Sequence, residues 1–295
     1  MNWDDLRIFL AVARAGTLSA AGQRLGIDAT TVARRVARLE ARLGRTLFEL
    51  TPAGHVLTPR GVELLTHAEA MESAALALSV SDAEGGHPGG TIRVSVSEGF
   101  GGSIIAPHLA RFTAANPDLA VELVASTGFL NPSRREADVA IMLARPKAGP
   151  LLVRKMTDYR LGLYAARDAA PDGIARIADL ARHRLVGYVP DLIYSPELRY
   201  LEDVGEGLAA SIASTSVAAQ ATMIASGAGV GIIPCFIGDA DPRLARLLPD
   251  RIDIRRTFWL VVHRDLRGVS RVSRFVDWLD ALVIELRPMI EGSEG

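Results

Sequence analysis

Apolar residues in the first sixty positions recur at helical spacing. Leu6, Phe9, Leu10 and Ala13 fall at i, i+3, i+4 and i+7, the period of one buried helix face, and Gly16 ends that run. Ser19 is placed to cap a second helix reaching Leu25. The turn Gly26-Ile27-Asp28 follows, and Asp28 can cap a third helix to about Leu43, with Val32, Val36, Leu39 and Leu43 as its buried stripe. Gly22, Gly26 and Val32 are spaced as two tightly crossing helices require, which is a helix-turn-helix pattern. Short helices joined by glycine turns also occur in proteins that bind no DNA.

Two short apolar runs, Thr46–Leu50 and Val56–Leu57, flank Thr51-Pro52-Ala53-Gly54-His55 and read as a hairpin wing. Thr58 and Pro59 supply an N-cap and a first-turn proline for a long helix over 58–84. Val62, Leu65, Ala68, Met71, Ala75 and Leu78 step along it by three and four. An isolated helix cannot bury such a stripe, so a partner helix is expected, most simply the copy in a second subunit. Residues 85–90 are glycine-rich and predict a hinge.

From Thr91 onward strand and helix signals alternate, which predicts α/β architecture. Strands are expected at Thr91–Ser97, Leu119–Ala125, Ala137–Ile141, Leu161–Ala165, Leu185–Val189, Ser211–Ser214, Val230–Ile233 and Phe258–Val262. A final helix is expected from Arg271 to about Leu286. The first two strands flank a helix in a βαβ unit, in which ligands bind beyond the strand C-terminal ends.

Composition narrows the class. The 295 residues carry 33 basic and 34 acidic side chains, and 49% are hydrophobic, so a sizeable core is available and disorder is not expected. The single cysteine, Cys235, excludes an intramolecular disulfide and any multi-cysteine metal site. Met1-Asn2-Trp3-Asp4-Asp5 has no basic segment of the signal-peptide kind, and a cytoplasmic location is expected. Val217–Gly238 is free of charge and long enough to span a bilayer, but its glycines and Pro234 predict a helix ending at Gly227 followed by a buried strand. All the lysines are Lys147 and Lys155; the arginine bias suits phosphate and guanine contacts, although an arginine-rich genomic composition is the simpler explanation. The near-neutral total also hides an asymmetry: residues 1–60 hold nine arginines against five acids, a net of +4, and the remainder carries −5.

The third helix holds the candidate chemistry. Thr30 and Thr31 sit at its start, and Arg34, Arg35, Arg38 and Arg42 follow off the buried stripe. Hydroxyls at a helix N-terminus with arginines one turn later suit insertion into the major groove, where arginine grips guanine edges or phosphates. A solvated basic face is the alternative. In the second region, polar residues beyond the strand ends are Ser97, Ser103 and Thr127, with backbone N–H groups of Gly101 to Ser103 available to an anion. Ser103 could equally act only as a helix cap. Tyr188, Asp191 and Ile232 are further candidate lining residues, Tyr188 and Ile232 also reading as core, and Arg145 could pair with a carboxylate ligand or simply with a surface acid.

Enzyme signatures are missing from the sequence. There is no Gly-x-Ser-x-Gly elbow and no phosphate-binding Gly-x-x-x-x-Gly-Lys-Ser/Thr loop. The Gly227-x-Gly229-x-Gly231 run follows a helix, not a strand, and the histidines lack ligand spacing. No catalysis, cofactor or metal is expected. A ligand-binding protein without DNA function is the remaining alternative, opposed by the helix-turn-helix.

The order Asp5-Leu6-Arg7-Ile8-Phe9-Leu10-Ala11-Val12-Ala13, Gly16-Thr17-Leu18-Ser19-Ala20-Ala21, Arg24-Leu25-Gly26 and Thr30-Thr31-Val32-Ala33-Arg34-Arg35-Val36 resembles the LysR-type transcriptional regulators. Leu39-Glu40, Leu43-Gly44, Leu47-Phe48 and Leu57-Thr58-Pro59-Arg60-Gly61 continue the resemblance, which is specific over 1–65 and looser beyond. It implies a winged helix-turn-helix over 1–60, a dimerising linker helix over 58–84, a hinge over 85–90 and a periplasmic-binding-protein-like α/β effector domain over 91–295. That domain would comprise two Rossmann-like subdomains, 91–160 with 265–295, and 161–264, the chain crossing at Leu161 and returning near His263–Arg267. Two crossings would make a hinged cleft, the usual place for a small ligand. The implied function is effector-modulated, sequence-specific binding of double-stranded promoter DNA by a homodimer or homotetramer, with RNA polymerase a further partner and no membrane association. Ser19, Thr30, Thr31, Arg34, Arg35, Arg38 and His55 are the expected DNA contacts; Ser97, Gly101, Ser103, Thr127, Arg145, Tyr188 and Ile232 are the expected effector contacts. Three positions depart from the family pattern: Leu50 stands where arginine is usual, Thr51–His55 lacks the usual basic residue, and Ala33 replaces a common serine.

Overall fold

The structure is a computed structural model that describes residues 2–52, 54–65, 67–68, 71–72, 89–126, 130, 132–134, 136–169 and 173–292. It divides into two compact units, Met1–Gly86 with Arg134–Glu136, and His87–Ser133 with Ala137–Gly295.

The first unit begins with α1 (Trp3–Ala15), α2 (Leu18–Leu25) and α3 (Ala29–Leu43). Each ends at a left-handed glycine: Gly16, Gly26 and Gly44. The expected cap of α2 is displaced by two residues. Gly16 turns the chain so that Thr17 takes the extended conformation, and its hydroxyl oxygen accepts from the Ala20 N–H at 3.2 Å. Ser19 therefore lies exposed inside the first turn and does not cap. The crossing of α2 and α3 explains Gly22, where a Cβ would sit 2.6 Å from the Ile27 carbonyl oxygen.

The wing pairs β1 (Phe48–Thr51) antiparallel with β2 (Gly54–Leu57), Leu50 opposite His55. Leu6, Phe9, Val12, Val32, Leu39, Leu47 and Phe48 form one core, with the Phe9 and Phe48 rings 5.3 Å apart. Thr58 joins wing to linker: its hydroxyl donates to the Thr46 carbonyl at 2.8 Å and accepts from the Gly61 N–H at 3.0 Å. The linker helix, α4, is helical at every described position over 59–72. Ala68 is buried in the helical core, whereas Val62 and Met71 are 52% and 47% exposed. Ala75 and Leu78 lie outside the described residues.

In the second unit β3 (Gly90–Ser97) runs parallel to both β4 (Leu119–Ser126) and β5 (Val139–Met142). The helical run after β3 comprises α5 (Glu98–Phe100), a π turn (Gly101–Ile105), a 3-10 turn (Ala106–His108) and α6 (Leu109–Ala115). Ser103 falls inside the π turn, so neither a capping role nor an N-terminal amide cradle applies to it; the helix starts at Glu98.

The remaining elements are β6 (Leu151–Ala166), β7 (Leu185–Gly187), α7 (Tyr200–Val204), β8 (Ile212–Ala213), α8 (Val217–Ala225), β9 (Val230–Pro234), α9 (Cys235–Gly238), β10 (Leu244–Leu247), β11 (Ile254–His263), α10 (Ser270–Glu285) and α11 (Arg287–Ile290). Among the described residues the strands of this second unit form one sheet path, β4-β3-β5-β11-β6-β9-β7-β8, with β10 on β6. The two long antiparallel strands β6 and β11 belong to both lobes. Leu161 of β6 pairs with Ile254 of β11 and also with Pro234 of β9, so the first lobe passes into the second within a continuous strand. The return also occurs inside a strand: β11 pairs with β5 from Trp259, just after a register shift at Phe258, and thus before His263. Strand β10 and the first ten residues of β6 have no counterpart among the expected strands, because their charged positions mask the β pattern. The charge-free stretch resolves into α8, β9 and α9, and among the described residues no helix is long and apolar enough to cross a membrane.

Candidate functional site

The N-terminal end of α3 is held by Asp28. Its carboxylate accepts from the Thr31 N–H at 2.7 Å, from the Thr31 hydroxyl at 2.7 Å and from the Thr30 hydroxyl. These bonds, the Thr30 and Thr31 hydroxyls first, hold the Asp28 carboxyl well below the usual carboxylate range. Both threonine protons are committed to Asp28, so the hydroxyls present only lone pairs outward. They can accept from a base amino group but cannot donate to a phosphate.

The arginines of α3 separate into two sets. Arg34 is exposed and has no ion pair among the described residues, and Arg35 reaches Asp4 only at 3.9 Å. Arg38 and Arg42 instead converge on one buried carboxylate, Asp5 of α1, at 2.9 and 3.1 Å. Arg38 thus ties α3 to α1 while its side chain stays 51% exposed. Sequence reasoning did not single out Asp5 because its partners lie more than thirty residues away; the i, i+4 spacing of Arg38 and Arg42 was the available signal. In the wing, the His55 ring packs edge-on to Phe48 at 6.2 Å, and its backbone N–H donates to the Gly16 carbonyl at 2.7 Å. Leu50 is 80% exposed at the wing.

The second unit contains a narrow pocket between its lobes, a cavity of about 20 Å³. Ser97 and Glu98 at the end of β3 face Tyr188, Thr215 and Val217 of the second lobe across it, and Tyr159, Tyr194, Tyr200 and Phe258 complete much of the wall. Glu98 bridges the lobes: its carboxylate accepts from the Ser216 hydroxyl at 2.6 Å and the Val217 N–H at 2.9 Å. Ser216 is the N-cap of α8, its oxygen accepting from the Ala219 N–H at 3.0 Å. Glu98 therefore satisfies the first free amide of that helix. Burial, with a smaller contribution from the Glu98 charge, pushes the Tyr194 phenol up to about 12. Burial raises Tyr188 further, with Tyr200 the next cause.

The expected effector residues are only partly brought together. Ser97 and Tyr188 line the interlobe pocket. Ile232 instead lines a neighbouring cavity of about 260 Å³ within the second lobe, shared by Tyr188 and Tyr200. Buried Gln220 lines that cavity too, and its Oε1 has no hydrogen-bond partner among the described residues. Arg145 lies over the Trp259 ring at 5.4 Å and does not line the pocket. Gly101 serves packing: a Cβ there would be 2.7 Å from Val96 and 2.8 Å from Ala125. Ser103 lies off the pocket, Asp191 is exposed, and Thr127 falls outside the described residues. Glu98, Tyr159, Tyr194, Tyr200 and Thr215 line the pocket without having been expected there; for Glu98, an acid at the carboxyl end of a βαβ strand was the available signal. Among the described residues no cluster of histidine, cysteine or acidic groups is arranged to hold a metal.

Comparison with known proteins places this geometry. Residues 3–62 match the family described as "Bacterial regulatory helix-turn-helix protein, lysR family", and residues 85–283 match the "LysR substrate binding domain". The Mau operon transcriptional activator of Paracoccus denitrificans is 30% identical over 285 residues, covering 97% of this chain and 98% of that protein. CrgA, a LysR-type transcriptional regulator from Neisseria meningitidis, superposes with a TM-score of 0.57 at 25% identity, covering 97% of this chain and 99% of that one. The fold is also that of the Vibrio cholerae virulence activator AphB, with a TM-score of 0.57, 20% identity and coverage of 95% and 99%. The chain belongs to the LysR family: it is a DNA-binding transcriptional regulator modulated by an effector.

Proposed function

We propose that this regulator reads promoter DNA through the N-terminal half of α3 and receives its effector in the pocket between the lobes of the second unit. Arg34, exposed and without an ion pair among the described residues, carries the first part of this reading. Arg34 and Arg35 contact base edges or phosphates, Thr30 and Thr31 accept from base amino groups, and Arg38 adds a backbone contact while anchored to Asp5. Ser19 and His55 supply flanking contacts from α2 and the wing. Two chains pair through α4, which the exposed Val62 and Met71 support, and pairs associate into a homotetramer. Effector occupancy shifts the lobes and thereby the spacing of the recognition helices on a two-part operator, with RNA polymerase as the downstream partner. The protein acts in the cytoplasm and carries out no catalysis.

A promoter mobility-shift assay, on genomic fragments first selected by the protein, tests the DNA reading. Arg34→Ala is expected to weaken the shift; no shift with any fragment at low salt leaves only a ligand-binding role. Tyr188→Ala tests the pocket: the variant should bind the operator normally yet lose its response in a reporter strain. A normal response removes the pocket from the mechanism.

A further inference from the structure

We infer that the interlobe pocket takes a small alkylammonium cation, with Glu98 as its counter-ion and the surrounding tyrosines as its wall. The inference rests on the reading of this pocket as the effector site. Among the described residues that line it, Glu98 is the one carboxylic acid, and no basic side chain lines it. The Ser216 hydroxyl and Val217 N–H each fill one acceptor position on the Glu98 carboxylate. A carboxylate has about four such positions, so these neutral donors leave room for a cationic N–H.

The wall suits the same class of ligand. Tyr159, Tyr188, Tyr194 and Tyr200 all line the space, with Tyr188 set edge-on to Tyr200 at 5.7 Å and Tyr159 stacked on Phe258 at 4.3 Å. Aromatic faces carry negative potential and attract an ammonium or alkylammonium group. After burial, the Glu98 charge adds to the preference of Tyr188 and Tyr194 for the neutral phenol, while the Arg256 charge acts in the opposite sense on Tyr159 and Tyr200 behind them. A carboxylate ligand meets the opposite energetics. It would have to evict Glu98 from the start of α8, stranding that charge among neutral phenols. Size restricts the chain length, since about 20 Å³ holds a water or two and larger amines require the lobes to part.

Calorimetric titration of the full-length chain with ethylammonium chloride, and separately with sodium propionate at the same ionic strength, tests the proposal. Saturable binding of ethylammonium and none of propionate is expected. Glu98→Gln preserves the side-chain shape, keeps one of the two acceptor oxygens that Ser216 and Val217 use, and should weaken ethylammonium by about tenfold or more. Tyr194→Leu, at a half-buried position that threatens the fold less, should also weaken it. Propionate binding without ethylammonium binding overturns the cation assignment but keeps the pocket as an effector site. Ethylammonium binding unchanged in both variants places the cation elsewhere and overturns it too. If neither probe binds the wild-type chain, the cation assignment fails, and the Tyr188→Ala reporter separately decides whether the pocket serves an effector at all.

Discussion

Asp5 of α1 and Arg38 of α3 form a 2.9 Å ion pair in which the carboxylate is fully buried and the guanidinium is half exposed. Arg42 completes the arrangement from one turn further along α3, at 3.1 Å. A buried carboxylate is tolerated only when paired and hydrogen-bonded, so these arginines bind the recognition helix to the body of its own domain. Replacing Asp5 with Ala should destabilise the helical unit by about 1–3 kcal/mol, the lower side of buried-pair losses because both arginines can re-enter water. Urea unfolding followed at the helical signal checks this, and an unchanged midpoint would show that the pair is energetically idle.

The division of the arginines predicts two kinds of DNA defect. Arg34→Ala should cost about 1–3 kcal/mol of operator affinity without altering the unfolding midpoint. Arg38→Ala should lower both affinity and stability, because that side chain has a structural partner. Operator affinity and thermal unfolding measured on the same preparations separate the two, and identical behaviour of the variants contradicts the division.

The Asp28 cap has a defined pH signature. Its folded-state ionisation is depressed by the threonine hydroxyls and the Thr31 amide, so the unfolded chain takes up the proton first as pH falls. The cap's contribution is complete above the usual carboxylate range and erodes as pH drops through that range toward the lower folded value. Carbon-detected NMR of the Asp28 side chain should give a midpoint below those of unpaired surface aspartates; an ordinary midpoint rejects the capping geometry.

Gly22 is predicted to be intolerant of even one methyl group. A Cβ would approach the Ile27 carbonyl oxygen to 2.6 Å, backbone that cannot yield without separating α2 from α3. Gly22→Ala should cost about 1–3 kcal/mol in stability and reduce operator binding, despite alanine's better helix propensity. Wild-type stability in this variant would mean the crossing has slack.

Cys235 should be inert in the native state. It is fully buried at the start of α9, and burial pushes its thiol above the usual range. Maleimide labelling at neutral pH should proceed only as fast as the domain opens, and rapid stoichiometric labelling of folded protein refutes this.

Much of the fold was legible along the chain because local physics wrote it there. Periodic apolar residues, left-handed glycines at 16, 26 and 44, and Asp28 before Thr30 and Thr31 fixed the three helices almost to the residue. Even there, the choice of Thr17 over Ser19 as cap depended on where Gly16 released the chain, a matter of backbone angles rather than residue type. The alternation of strands and helices after residue 90 likewise announced an α/β domain with a cleft, and Ser97 and Tyr188 do line it.

What the sequence by itself determined about this protein was most of its elements, its helix-turn-helix and the family it belongs to. Tertiary structure alone decided which charges were free and which were spoken for. Arg34 and Arg38 are equivalent in sequence, yet only Arg38 meets a buried acid, supplied by a helix that precedes it by more than thirty residues. Arg145 reads as a candidate ligand group, yet a tryptophan in a strand more than a hundred residues later takes it up. Nothing local marks a partner for Glu98, yet Ser216 and Val217 come to it from the opposite lobe. Hydrophobic periodicity records which face of an element is buried. The partner of a polar group depends on distances between elements far apart in sequence, which exist only once β6 and β11 have joined the lobes into one sheet.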